Sequence, residues 1–189
     1  DHLMNEMDLS IRTVLRVAAL KREYPDQVHI IQSNHELAQL RGEAILKGGV
    51  SVIDRFDRGI SFLYGSNAGA VEDSFEAYLE SLPLGLRTAG GVGCVHSLPT
   101  PVSFGQFDPT VMGRKPNVVD LGAQGTVYQL VWGRRLDQDV ADQLGESWQV
   151  NQFVLGHQPA ETGYFTVGLN MLVIASDHNH GVALPVDLD

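Results

Sequence analysis

The stretch that decides the fold prediction is Val28-His29-Ile30-Ile31-Gln32-Ser33-Asn34-His35-Glu36-Leu37, where an apolar run turns into a set of polar side chains. Its first four residues have the composition of a short buried strand. A helical pattern follows from Glu36 to Lys47 and ends at two glycines. The stretch therefore predicts a strand that delivers Asn34 and His35 to the start of a helix.

Two later apolar runs of the same kind also end at a histidine. Gly93–Val95 is followed by His96, and Phe153–Leu155 is followed, after one glycine, by His157. Strands of one sheet that end in polar side chains place them at one edge, and α/β folds build their sites at such an edge. We therefore expect these histidines to lie near Asn34.

Length, composition and charge restrict the class of protein. The chain has 189 residues, 43% of them hydrophobic and 19% charged, which suits one domain with a substantial core. The formal net charge of −10 disfavours binding to nucleic acid or to an anionic membrane. A single cysteine excludes an intrachain disulfide, and no apolar stretch is long enough to cross a bilayer. We expect one domain over residues 1–189, located in the cytoplasm.

The order of patterns along the chain predicts an α/β fold of the α+β type. Helix and strand patterns alternate at first and give way to consecutive strands, which favours a mixed sheet or sandwich flanked by helices over a plain doubly wound sheet. The predicted helices run from about 10 to 24, 36 to 47, 71 to 82 and 137 to 144. The later predicted strands cover 126–131, 151–155, 164–167, 171–175 and 182–186.

Asn34 and His35 have side chains suited to two different tasks. An asparagine oxygen is a neutral metal ligand, and a neighbouring histidine can donate a proton to a leaving oxygen. Adjacent residues at a strand end point in different directions, so one can bind metal while the other faces substrate. Asn34 is equally suited to cap a helix that starts at His35, and the two roles do not exclude each other.

His96 and His157 are candidates for metal ligands, because imidazole suits cations such as Zn, Mn and Fe. A lone histidine beside a strand is more often structural, but two of them after glycine-bearing strands, together with Asn34, favour a shared site. The sequence contains no short ligand spacing such as His-Glu-x-x-His, so a metal site would be assembled from distant segments. Arg134 and Arg135 could clamp a phosphate, or could be solvated surface charge.

These residues and others resemble the calcineurin-like metallophosphoesterases, and among them the phosphoprotein phosphatase (serine/threonine phosphatase) branch. The matches appear in the family's order between residues 24 and 174. They are Tyr24-Pro25, Gln32-Ser33-Asn34-His35-Glu36, Asp73-Ser74-Phe75, Leu82-Pro83-Leu84, His96-Ser97-Leu98, Val131-Trp132-Gly133-Arg134, Gly156-His157-Gln158 and Gly163-Tyr164.

The resemblance implies a fold, an activity and a set of roles. It implies a metal-dependent phosphoesterase that hydrolyses phosphomonoesters of proteins or small molecules, through attack by hydroxide held between two divalent transition-metal ions (Mn, Fe or Zn). Asn34, His96 and His157 would be metal ligands together with Asp1, and His35 would be the general acid. Arg134 or Arg135 would orient the phosphate.

The chain also departs from the family's pattern. The family's first motif, Gly-Asp-x-His-Gly on the first strand, is missing, and Gln32 stands where the second motif has a phosphate-clamping arginine. We therefore expect an N-terminally truncated catalytic domain that lacks the first strand. The alternative is a degenerate, non-catalytic protein that keeps the phosphatase fold for binding or as a scaffold.

Overall fold

The computed structural model describes residues 7–186. Its helices are α1 (Ile11–Glu23), α2 (Asn34–Arg41), α3 (Val52–Tyr64), α4 (Ala68–Glu80), α5 (Pro101–Phe104), α6 (Val118–Leu121), α7 (Thr126–Trp132) and α8 (Gln138–Trp148). Its strands are β1 (Leu46–Lys47), β2 (Val50–Ser51), β3 (Gly85–Arg87), β4 (Val92–Val95), β5 (Gln152–Leu155), β6 (Tyr164–Val167) and β7 (Met171–Ile174). Within residues 7–186, no helix combines the length and the apolar character needed to cross a membrane.

The chain divides into two compact units. The first contains the residues before Ile31 together with His35–Leu82, and the second contains Ile31–Asn34 and the residues from Pro83 onward. The division falls between Asn34 and His35, so the two adjacent residues singled out by the sequence belong to different units.

The first unit is helical, and local signals in the sequence set the ends of its helices. The Asp8 carboxylate accepts a hydrogen bond from the Ser10 backbone N–H, 2.7 Å away, at the start of α1. Ser51 caps α3 by accepting from the Asp54 backbone N–H, and Gly65 ends α3 with a positive φ of 52°. The rings of Phe56 and Phe75 join α3 to α4, with centroids 5.1 Å apart.

The second unit is built on a five-stranded mixed sheet with the strand order β3-β4-β5-β7-β6. β4 and β7 both run parallel to β5, while β3 and β6 pair antiparallel at the two edges. The predicted fold class is confirmed: the chain is α/β, with a mixed sheet flanked by helices. Of the two arrangements considered, the mixed sheet is the one that the described residues form.

α8 flanks the sheet and shows why this unit has a solid core. Asp137 caps the helix by accepting from the backbone N–H groups of Asp139 and Val140. Its buried face carries Val140, Ala141 and Leu144, and its last residue, Trp148, meets Phe153 of β5 edge-on at 6.2 Å. The helix therefore covers the central strand with apolar side chains.

Three predicted strands are wrong. Residues 126–131 lie in the helix α7, because a short, mostly buried run carries too little periodicity to separate helix from strand. Residues 28–31 and 182–186 belong to no helix or strand that the structure describes. The Gln32 backbone N–H donates to the Pro83 carbonyl at 2.8 Å, and proline has no N–H to return a ladder bond.

An ionic cluster organises the loop between α5 and α7, and we call Arg114, Asp108 and Asp120 the arginine cluster. Arg114 makes two hydrogen bonds to Asp120, of 2.5 and 2.8 Å, and one to Asp108, of 2.7 Å. Asp120 also closes a capping box with Asn117 at the start of α6. The loop is therefore fixed by bonds among residues that are close in sequence.

Hydrogen bonds from Arg114 shift the acidities within this cluster. The side-chain bonds from Arg114 and Thr110 lower the pKa of Asp108 to about 2. The bond from Arg114 likewise lowers the pKa of Asp120, against the opposing effect of burial. Both carboxylates are therefore ionised at every pH at which the protein would normally be handled.

Candidate metal site

Asn34, His96 and His157 converge on one point in the second unit, and we call them the histidine cluster. His96 Nε2 lies 2.8 Å from Asn34 Oδ1 and 3.1 Å from His157 Nδ1. The two imidazole rings meet edge to face, with centroids 4.9 Å apart. Because an amide oxygen only accepts, the bond to Asn34 requires a proton on His96 Nε2.

Parallel pairing of β4 with β5 explains why the two histidines meet. The register pairs Val95 with Leu155, so both strands end at the same edge of the sheet. The Gly156 backbone N–H then donates to the His96 carbonyl at 3.1 Å, which holds the two ends together. Residues 61 positions apart in sequence thereby become neighbours.

His157 adopts a backbone conformation that L-residues rarely take. Its φ is +64°, in the left-handed region, and the Gln158 backbone N–H turns back to the Gly156 carbonyl at 2.7 Å. A residue without a Cβ would adopt this conformation at lower cost, so the histidine here is held by its surroundings. Strain of this kind concentrates at functional sites.

Asn34 is the first residue of α2 and is only 5% exposed. Its Oδ1 atom accepts the hydrogen bond from His96, which fits the ligand role weighed for it. The preceding segment is tied to the second unit by the bond from Gln32 to the Pro83 carbonyl. Asn34 therefore reaches the histidine cluster from a segment that is not part of a strand within the described residues.

Sequence reasoning quoted Trp132 but assigned it no place in the site. Its ring meets His157 edge-on at 6.0 Å and stacks on Tyr128 at 5.8 Å. Ser97 connects the chain after β4 to the residue after α7, because its hydroxyl donates to the Gly133 carbonyl at 2.5 Å. The available signal was the presence of Trp132 and Ser97 within two of the matched motifs.

His35 belongs to the first unit, where it lines a pocket of about 250 Å³ together with Lys47, Gln39 and Phe56. Burial, with a smaller contribution from the Lys47 charge, lowers the pKa of His35. The imidazole is therefore more often neutral near pH 7 than a free histidine would be.

The remaining predicted site residues lie outside the histidine cluster or outside the residues that the structure describes. Arg134 and Arg135 are exposed, and neither forms an ion pair within residues 7–186. Asp1 lies outside the described residues. The same residues contain no group of three or more His, Cys, Asp and Glu side chains placed to hold a metal. The candidate donor set is thus two imidazoles and one amide oxygen.

Comparison with known proteins adds a likeness of fold. No protein-family model matches the chain, and no curated protein matches it by sequence. A solved structure described as a protein serine/threonine phosphatase from Saccharomyces cerevisiae with similarity to human phosphatase PP5 matches with a TM-score of 0.62 at 19% identity. The match covers 90% of this chain and 54% of that one, so this chain spans about half the length of its structural neighbour.

Proposed function

We propose that the chain is part of a metal-dependent phosphoesterase that hydrolyses phosphomonoesters in the manner of the serine/threonine phosphatases. The observation that carries the proposal is the convergence of Asn34, His96 and His157 within 3.1 Å from three distant segments. The phosphatase-like fold supports it, and so does the strained backbone at His157.

The donor set fits a divalent transition metal. Imidazole nitrogens and an amide oxygen suit Zn, Mn or Fe. Two ligands about 2.1 Å from one tetrahedral cation lie roughly 3.4 Å apart, so the observed separations of 2.8 and 3.1 Å need to widen by only a few tenths of an ångström. Two cations, as the resemblance implies, would need more donors than these three, and Asp1 is the further ligand predicted.

A divalent cation held there would supply positive charge to the phosphoryl oxygens and lower the pKa of water. The protein's own residues would do the rest. The histidine cluster would fix the site, Arg134 and Arg135 would offer guanidinium groups to the phosphate, and His35 would protonate the leaving oxygen. The lowered pKa of His35 works against this last role, whereas an anionic phosphoester beside the imidazole would raise that pKa again.

The experiment measures bound metal and hydrolysis together. The protein is equilibrated with Mn²⁺ or Zn²⁺, freed of excess ion, analysed for metal content and assayed with p-nitrophenyl phosphate. We expect His96→Ala and His157→Ala to lose both metal and activity. His29→Ala is the matched control, because His29 is exposed and its imidazole lies 3.3 Å from the Asp26 carbonyl. Equal metal content in all four proteins would refute the metal site.

A second candidate is a non-catalytic binding or scaffold protein with the phosphatase fold. Gln32 favours it, since an uncharged, buried side chain stands where the family has an arginine for phosphate. Metal binding that is lost in His96→Ala, without measurable hydrolysis of p-nitrophenyl phosphate by any form of the protein, would select this candidate over the enzyme.

A further inference from the structure

A pocket of about 350 Å³ lies wholly in the second unit, between the strands β3 and β4, the end of α8 and the short 3₁₀ helix Pro109–Gly113. Its accessible lining combines partly exposed apolar side chains with exposed polar ones, and these are Leu86, Met112, Trp148, Arg87, Ser147 and Gln149. No residue of the histidine cluster lines it. The pocket is therefore separate from the candidate metal site.

Two contacts hold the walls of the pocket in place. The Trp148 indole N–H donates to the Pro109 carbonyl at 2.8 Å, which ties the end of α8 to the 3₁₀ helix. Met112 of that helix packs directly on β3, where a Cβ on Gly85 would lie 2.9 Å from the methionine methyl group. The cavity therefore exists before a ligand enters, which lowers the entropic cost of binding.

Arg87 brings a positive charge to the pocket. Its Nη1 donates to the Gln149 side-chain oxygen Oε1 at 2.9 Å, so the guanidinium spans from β3 to the residue after α8. Within residues 7–186 the Arg87 side chain forms no ion pair, and its hydrogen bonds use Nη1 alone. Because Arg87 is exposed, its Nη2 and Nε groups can donate to a ligand.

Gln149 positions this guanidinium from a strained backbone. The residue ends α8 in the left-handed conformation, with a φ of 55°. Glycine is the usual residue at such a helix end and adopts the conformation at lower cost. The glutamine side chain adds what glycine lacks, an oxygen that orients Arg87 at the edge of the pocket. The second amide group of Gln149, Nε2, is a further donor on an exposed side chain.

The charge of the lining defines the chemistry of the ligand. Among the described residues that line the pocket, Arg87 alone is charged. A guanidinium matches a carboxylate with two parallel hydrogen bonds. A phosphomonoester carries about 1.5 to 2 negative charges at pH 7, so part of its charge would lie beside apolar walls without a counter-charge. One guanidinium therefore favours an anion with a single charge.

We propose that this pocket binds a small apolar carboxylate, an activity that goes beyond the proposed hydrolysis. The carboxylate accepts from Arg87, and the apolar body of the ligand lies against Met112 and Trp148. An aromatic body suits these walls best, because a ring packs favourably on both an indole and a thioether. Charge complementarity and apolar burial then act on opposite ends of the same molecule.

The test uses the two tryptophan side chains of the chain as reporters. In a ¹H–¹⁵N spectrum of the full chain, the Trp148 indole signal reports on the pocket, and that of Trp132, which does not line it, is the internal reference. Phenylacetate is titrated in at about 0.15 M salt, which screens the net charge of −10. Phenylacetamide, which is uncharged, and phenyl phosphate, which carries more charge, are the matched probes.

We expect phenylacetate to shift the Trp148 indole signal saturably and to leave that of Trp132 in place. Phenylacetamide should bind roughly tenfold more weakly, because it lacks the charge that pairs with Arg87. Phenyl phosphate should also bind more weakly, because the pocket leaves part of its charge unmatched. The proposal is overturned if Trp148 shows no saturable shift, or if either matched probe binds as tightly as phenylacetate.

A pair of arginine variants completes the test. Arg87→Met removes the charge and keeps an unbranched apolar side chain, so it should weaken phenylacetate binding about tenfold and leave phenylacetamide binding unchanged. Arg58→Met is the control, because Arg58 is an exposed arginine of α3 in the first unit, and it should bind both probes as the wild-type protein does. Unchanged phenylacetate affinity in Arg87→Met, or an equal loss for both probes, would contradict the assignment of the carboxylate to Arg87.

Discussion

The histidine cluster and the arginine cluster are both polar groups of the second unit, but they are built in opposite ways. The histidine cluster unites an amide and two imidazole side chains from residues 34, 96 and 157. The arginine cluster unites opposite charges from residues 108, 114 and 120, all within one loop. One depends on the sheet to exist, whereas the other depends only on local chain geometry.

The two clusters also differ in how their polar groups are held. In the arginine cluster, two carboxylates share one guanidinium and Asp120 also accepts from the Asn117 backbone N–H, so each carboxylate is held by hydrogen bonds from within the loop region. In the histidine cluster, two imidazole nitrogens and an amide oxygen crowd one point, on a backbone strained at His157, and His96 Nε2 would give up its proton on binding a metal. We expect the first cluster to stabilise the protein, and we propose that the second binds a metal.

The largest expected effect separates the proposed proton donor, His35, from the proposed metal ligands of the histidine cluster. His35→Asn should lower kcat for p-nitrophenyl phosphate by about 10²–10⁴-fold, because that is the usual contribution of a general acid. Metal content should stay the same, because Asn34, His96 and His157 are untouched.

His29→Asn provides the control for this change, since His29 is exposed in the first unit. Full activity of His35→Asn at saturating metal would remove the proton-donor role from His35 and leave the metal site standing.

The next effect uses metal as a stabilising ligand. At a free Mn²⁺ or Zn²⁺ concentration of 100 times Kd, binding to the native state alone should raise the free energy of unfolding by about 2.7 kcal/mol. Urea denaturation with and without metal measures it.

Variants of the two clusters should respond differently to the metal. His96→Ala and His157→Ala should lose the metal-dependent gain, whereas Asp120→Asn should keep it, whatever its own stability. Equal gains in all of these proteins would show that the metal binds elsewhere, and the contrast between the clusters would fail.

The sequence predicted the part of the histidine cluster that follows from the parallel pairing of two strands. β4 and β5 were predicted from short apolar runs that end near a histidine, and parallel neighbours bring such ends together. Asn34 was placed correctly beside them for a wrong reason, because residues 28–31 are not a strand. The roles of these side chains remain predictions.

Other features were beyond the reach of single-sequence reasoning. α7 was predicted as a strand, because Thr126 to Val131 is short, rich in β-branched and aromatic residues, and buried at five of its six positions. The arginine cluster left one readable signal, Asn117 three residues before Asp120, which is typical of a capping box.

A smaller effect tests the structural role of the arginine cluster. Asp120 is 5% exposed and accepts from Arg114 and from the Asn117 backbone N–H. Asp120→Asn should lower the free energy of unfolding by about 1–3 kcal/mol, because it leaves buried donors poorly matched. Asp108→Asn should cost less, because that carboxylate is far more exposed. Urea denaturation of both variants checks the order, and a reversed order would contradict this account of the loop.

The smallest expected effect is the loss at low pH of the stability that the arginine cluster contributes. Hydrogen bonds from Arg114 and Thr110 depress the pKa of Asp108 from 3.8 to about 2, and the bond from Arg114 lowers that of Asp120. A carboxylate whose folded-state pKa is depressed stabilises the protein fully above its unfolded-state value, and this contribution is lost as the pH falls through the folded-state value. The stability difference between the wild-type protein and Arg114→Met should therefore be constant from pH 7 to about pH 5 and narrow between about pH 4 and 2.

Arg87→Met is the control for this change. The Arg87 guanidinium bonds to the uncharged Gln149, so the stability difference between Arg87→Met and the wild-type protein should not vary with pH. A difference for Arg114→Met that stays constant down to pH 2 would mean that Arg114 does not hold the two carboxylates, and the contrast between an ionic cluster built within one region of the chain and a cluster assembled by the sheet would fail.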